Sequence, residues 1–192
     1  IIRVNARRVS QIVESVLALS RRGQSQPERL QLTPWVEDFA REFVQTLELH
    51  EGSVAVVDGP PEIEVRMDPT HLHQILWNLC DNAVKYASAT AGAIAVEITT
   101  GVSEHTGRPF LEVADRGPGI KPDKVDHIFE PFYRLAQSRE TGRGSGLGLA
   151  LVRQIARRHG GEAVCLAAES GGSRFRIDLP RSEEHTSELQ SH

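Results

Sequence analysis

Asn78-Leu79-Cys80-Asp81-Asn82-Ala83-Val84-Lys85-Tyr86 is the stretch that decides how the rest of the chain is read. It closes a helical pattern that opens at Asp68-Pro69, an N-cap carboxylate with proline at the first helical position, and runs to about Ala87. Successive helical residues turn by about 100°. Gln74, Asn78, Asn82 and Lys85 therefore share one polar stripe, beside an apolar face of Leu72, Leu76, Leu79 and Ala83 that is expected to pack on a sheet. Amide oxygens at the rim of a buried face suit a hard cation. Lys85, one turn on, can neutralise phosphate charge. A single asparagine on such a face is more often merely solvated. Two in register with a lysine, near glycine-rich boxes, fit that bland account poorly.

Downstream, Ile94, Val96 and Ile98, then Leu111 and Val113, alternate as strand residues do. The second run ends at Asp115-Arg116-Gly117-Pro118-Gly119. A carboxylate there can accept a hydrogen bond from an exocyclic amine such as that of adenine, although a strand-to-turn aspartate is the plainer reading in isolation. A short helix is expected near Pro122 to Phe129. Phe129-Glu130-Pro131-Phe132-Tyr133-Arg134 leads into a polar loop with Arg139 and Arg143, a composition suited to a lid. Arg134, anchored by Phe132 and Tyr133, is the first candidate to contact a terminal phosphate. Gly144-Ser145-Gly146-Leu147-Gly148-Leu149 opens a helix expected over Gly146 to His159, and free N–H groups at its start form an anion site. The spacing is not that of a P-loop. Gly160-Gly161 ends the helix, and strands around Ala163 to Ala167 and Arg174 to Leu179 complete a mixed sheet with helices on one face.

Upstream, Leu30-Gln31-Leu32 is a short strand candidate, followed by an amphipathic helix from about Pro34 to Leu49. Ser53 to Val57 and Ile63 to Met67 flank a turn at Gly59-Pro60-Pro61. Residues 1–22 read as a separate helix whose heptad-like seam (Ile2, Asn5, Val9, Ile12, Val16, Leu19) implies a partner helix. Residues 23–29 form a linker and 30–180 the main domain. Residues 181–192 are polar and aperiodic after a complete strand; they look like the in-frame translation of a sequencing adapter, and a non-native or disordered tail is expected.

The 192 residues carry a formal net charge of −4 with scattered rather than striped basic groups, so nucleic acid is not an expected partner. Cys80 and Cys165 lack metal-type spacing and read as reduced, buried thiols. No apolar run approaches the roughly 18 residues of a membrane span, so no membrane contact by this piece is expected. Without a secretory leader a cytoplasmic location is expected, and the opening at Ile1 leaves a membrane-anchored parent open. His71 and His73 read as surface positions, His127 and His159 as helix-end residues where partial positive charge is favourable. Trp35, Trp77 and Cys80 read as packing.

On the four boxes quoted, residues from about 30 to 180 resemble the catalytic and ATP-binding domain of bacterial two-component sensor histidine kinases. That domain shares a nucleotide-binding fold with gyrase, the Hsp90 chaperones and the MutL proteins. Asn78 and Lys85 stand where gyrase-like members generally carry Glu and Asp, and that Glu serves as base for water attack; the resemblance thus implies transfer to an acceptor other than water. It implies an α+β fold, a two-layer sandwich of mixed sheet and helices preceded by one hairpin-derived helix, with ATP and Mg2+ as ligands. By carry-over, Asn82 is the main magnesium ligand with Asn78 beside it, Lys85 meets phosphate, Tyr86 borders the nucleotide and Asp115 reads adenine. Gly117, Gly119, Gly144, Gly146 and Gly148 shape the pocket and lid, with Ile120, Arg143, Ser145, Leu147 and Leu149 beside the nucleotide, and Arg134 assists transfer.

Residues 1–22 resemble the second helix of the dimerisation and phosphotransfer hairpin, in a form similar to the pilus-regulating sensor kinases. The resemblance implies a homodimeric parent, its own phosphoacceptor helix and a response-regulator receiver domain as partners. Phosphoacceptor histidines of the family precede an acidic residue and, soon after, proline. No histidine here has that setting, since His50-Glu51 leads into a strand, and the acceptor is expected upstream of Ile1. The alternatives are a serine kinase of the anti-sigma-factor type and a non-catalytic nucleotide-binding or dimerising module.

Overall fold

The computed structural model describes residues 25–57, 59–86, 96–135, 145–167 and 171–182. The helix expected over residues 1–22, residues 183–192 of the tail, Ile94, Arg139, Arg143 and Gly144 lie outside these residues.

Strand β5 (Pro109–Asp115) is central to a five-stranded sheet of order β2-β4-β5-β7-β6, with β2 at Val54–Val57, β4 at Val96–Val102, β6 at Glu162–Ala167 and β7 at Ser173–Asp178. β2 runs parallel to β4, and every other pairing in this sheet is antiparallel. Period-two alternation turns Leu111 and Val113 to the same side, in register with Ile98 of β4 and with Phe175 and Ile177 of β7. Helices α1 (Leu32–Thr46), α2 (Pro69–Tyr86) and α3 (Gly148–Arg158) bury their apolar faces against this layer in one core. The result is the expected α+β sandwich.

The ends of the helices follow from local chemistry. Asp68 caps α2, Oδ1 accepting from the Thr70 N–H at 2.9 Å while Oδ2 accepts from the Gln26 N–H at 2.9 Å, which ties the incoming chain to the helix. Partial burial pushes the Asp68 pKa up, but the Gln26 N–H, the neighbouring His71 and the Thr70 and His71 N–H groups outweigh it, and the carboxyl titrates below its ordinary value. At the end of α3, Gly160 takes φ +75°, the Gly160 N–H donates to Arg157 O and the Gly161 N–H to Ala156 O, a Schellman closure. α1 begins at Leu32 rather than Pro34, because proline is tolerated within a helical first turn. α3 begins at Gly148 rather than Gly146, and the short helix expected near Pro122 to Phe129 is two 3-10 turns, Pro122–Lys124 and His127–Phe129.

The runs flanking Gly59-Pro60-Pro61 do not pair with each other. β3 (Glu64–Met67) joins β1 (Glu28–Gln31) in a separate antiparallel pair. The prolines lack N–H groups for a ladder. Instead the Pro60 carbonyl accepts from Thr33 Oγ1 at 3.0 Å, and Thr33 shares a buried hydrogen bond with Thr100 of β4 at 2.8 Å. Arg181, assigned above to the tail, is also held by the fold: it bridges to Val65, and its Nε donates to Gly107 O at 3.0 Å. Among the described residues no helix is long and apolar enough to cross a membrane. Cys80 is a buried free thiol, and Cys165 a half-buried one.

Candidate nucleotide site

A cavity of about 350 Å³ is lined by α2, the turn after β5, the beginning of β7 and the start of α3. Its size falls at the lower end of ordinary small-molecule sites, roughly 300–1,000 Å³.

Gln74, Asn78, Asn82 and Lys85 all line it, so the polar stripe of α2 faces the cavity, flanked by Tyr86 and by two residues not anticipated, Trp77 and Asp81. Nδ2 of Asn78 donates to the Gln74 carbonyl at 2.7 Å. Its Oδ1 faces Gly148, where a Cβ would stand only 2.8 Å away. Lys85 pairs through Nζ with the Asp81 carboxylate one turn earlier. Trp77, read from sequence as packing, does both: it meets Phe43 edge-on, stacks on His73 and still reaches the cavity.

Asp115 is buried because the alternation of β5 puts it in the same file as Leu111 and Val113. Oδ1 accepts from the Gly117 N–H at 2.7 Å and the Ser173 N–H at 3.2 Å. Burial pushes the Asp115 pKa up; these hydrogen bonds pull it only part of the way back, and it stays raised. An oriented, partly desolvated acceptor in a cavity wall suits an amine donor on a flat ligand.

Gly119, Ile120, Ser145, Gly146, Gly148 and Leu149 line the cavity, whereas Gly117 and Leu147 do not. A Cβ on Gly117 would lie 2.6 Å from the Tyr86 carbonyl oxygen, so its smallness lets the turn pass the end of α2. Leu147 is fully buried, and its carbonyl accepts the first N–H bond of α3, from Leu151 at 2.9 Å. The opening N–H groups of α3 lack intrahelical acceptors and lie at the cavity, where a helix start favours negative charge.

Arg134 lines the cavity, and its expected anchor Phe132 is largely in solvent, 66% exposed, with φ +65°. The Phe132 N–H donates instead to Gly146 O at 2.8 Å, fastening the ends of the intervening segment. Phe129 is the buried aromatic, edge-on to Phe175, and Tyr133 stacks on His127. Other histidines make tertiary contacts that their helix positions alone do not give. His73 packs between Phe39 and Trp77, and His71 Nδ1 lies 2.8 Å from His159 Nε2. Although His159 caps the C-terminus of α3, burial, then His71 and Arg158, overcome the opposing Asp68 and hold its pKa down at about 4, so it is neutral near pH 7.

Ser173 and Phe175 reach the site because β7 pairs with β5, which nothing local in their sequence signals. Asp81 did carry a signal, its i,i+4 spacing to Lys85.

Residues 67–183 match the family of histidine kinase-, DNA gyrase B- and HSP90-like ATPases. The chain belongs to that family. Within it, the sequence is similar to the sensor protein kinase PilS of Pseudomonas aeruginosa, 34% identical over 177 residues that cover 92% of this chain and 32% of PilS. This member of the ATPase family thus spans about a third of the length of that relative. Its fold is similar to that of the mycobacterial sensor histidine kinase MprB (TM-score 0.62, 26% identity, 81% of this chain and 98% of that one). It is also similar to the ATP-binding domain of PrrB from Mycobacterium tuberculosis (TM-score 0.60, 26% identity, 81% and 97%). The domain is an ATP-binding catalytic domain of the histidine-kinase type.

Proposed function

We propose that the cavity binds MgATP and that the domain serves to transfer the γ-phosphoryl group to a histidine on a segment outside this chain, for relay to a response-regulator receiver domain. The observation that carries this reading is the convergence on one cavity of Asn78, Asn82 and Lys85 from α2, the buried Asp115, and the amino end of α3. Asp115, held by Gly117 and Ser173, accepts the adenine amine. Tyr86, Ile120 and Leu149 border the nucleotide, while Gly119, Ser145, Gly146 and Gly148 leave room for it. Gly117 and Leu147 act through backbone geometry, and Arg143 and Gly144 rest on the sequence alone.

Lys85, Arg134 and the first N–H groups of α3 orient the phosphates. The Asn82 and Asn78 amide oxygens on α2 are hard donors that fit magnesium. When bound, magnesium supplies positive charge to the phosphate oxygens. Asn78 cannot take a proton from water as a carboxylate can, which favours transfer over hydrolysis. The acceptor imidazole then attacks phosphorus in line while ADP leaves, with positioning as the main contribution. In the parent, residues 1–22 would form a hairpin helix in a homodimer, joined by a linker that ends before β1, which claims Glu28 and Arg29 from the expected 23–29 stretch.

The test is the thermal midpoint of the protein with ATP, with and without magnesium, beside Asn82→Ala. A magnesium-dependent rise that the variant loses supports the reading. No rise at saturating ATP would overturn it.

A further inference from the structure

Asp81, paired with Lys85, puts a carboxylate on the wall of a cavity whose proposed ligand is a polyanion. Both side chains are largely shielded, 26% and 30% exposed, and both line the cavity with Asn78 and Asn82. The cation that should meet phosphate is therefore engaged by a carboxylate, and that carboxylate would face the incoming phosphates at short range. One helical turn joins the two residues, so backbone motion cannot part them without breaking α2; side-chain rotation, chiefly of the long Lys85, can.

We propose that Asp81 is a positioning residue that makes nucleotide capture conditional on a divalent cation. This rests on the MgATP reading of the cavity. Without metal, Asp81 keeps Lys85 turned toward itself and repels the phosphates. With magnesium held by the neighbouring asparagines, its charge is offset and Lys85 is released to the phosphates. A solvated helix pair would instead stabilise α2 slightly and leave metal dependence untouched.

The experiment titrates wild type, Asp81→Asn and Asp81→Glu with ATP and with adenosine, in magnesium and in EDTA, by calorimetry. The expected result is metal-free ATP binding about tenfold tighter in Asp81→Asn than in wild type, with the gain from magnesium reduced by about the same factor. Asp81→Glu, which keeps the charge, should retain the wild-type magnesium gain, and adenosine should bind all three alike. An unchanged magnesium gain in Asp81→Asn overturns the proposal, as does its loss in Asp81→Glu. If Asp81→Asn fails to fold, Asp81→Ser is read by the same criteria. Adenosine and ATP both failing to bind wild type would overturn the nucleotide reading itself, an outcome distinct from binding without the Asp81 effect.

Discussion

Gly148 stands against the side chain of Asn78: a Cβ at 148 would lie 2.8 Å from Asn78 Oδ1, and the next nearest atoms are also of that side chain. The glycine that opens α3 is thus what allows an α2 amide to sit at the cavity rim. Because the obstructing atom ends a side chain that can rotate, Gly148→Ala should cost little stability. It should displace the amide and weaken ATP binding by about tenfold. A thermal midpoint near wild type with reduced affinity in magnesium checks this, and a large fall in midpoint would contradict it.

Asp115 gives a pH dependence in which stability and binding oppose each other. Its raised pKa means the folded protein keeps this proton to higher pH than the unfolded chain. Its stability contribution is present below the ordinary value of 3.8 and lost as pH rises through the raised one. The amine-accepting form is the ionised one, so ATP affinity should fall on acidification before an ordinary aspartate would protonate. Asp115→Asn should bind ATP at least about tenfold more weakly and lack this acid step. Binding isotherms from about pH 7 to about pH 4 measure both.

The His71–His159 pair should make the domain acid-sensitive with the opposite sign. The His159 pKa is lowered from 6.5 to about 4, and that of His71 is lowered too, chiefly by burial. Their contribution is complete above 6.5 and is lost as pH falls through the folded values. His159→Asn keeps a polar residue at the cap and should flatten the decline in urea midpoint between about pH 6.5 and about pH 4. An equally steep decline in the variant would refute this.

Gly172 has φ +88°, and a Cβ there would lie 2.0 Å from the Asp115 carbonyl oxygen. Gly172→Ala should lower stability by about 2 kcal/mol or more, since backbone rather than a movable side chain stands in the way. The urea midpoint, with an unchanged slope, measures it.

What the chain makes legible by itself is whatever its local periodicity encodes. The stripe from Gln74 to Lys85, the Asp68 cap and the Gly160-Gly161 stop each depend on residues within a few positions of one another, where helical geometry alone sets the neighbours. Family membership was legible for the same reason, since its boxes are short.

Tertiary structure alone decided the rest. Ser173 grips Asp115 across 58 residues, and His71 meets His159 across 88, because strand order and helix packing bring them together. β2 and β3 flank Pro60 and Pro61 yet join different sheets, and Phe132 points to solvent although its sequence setting resembles an anchor. Alternation assigns Asp115 to a face, but only the assembled layers make that face the inside of a cavity, and only that burial raises its pKa. Sequence sets which residues share a side of an element; the desolvation and partners that give them chemistry come from the elements packed against that side.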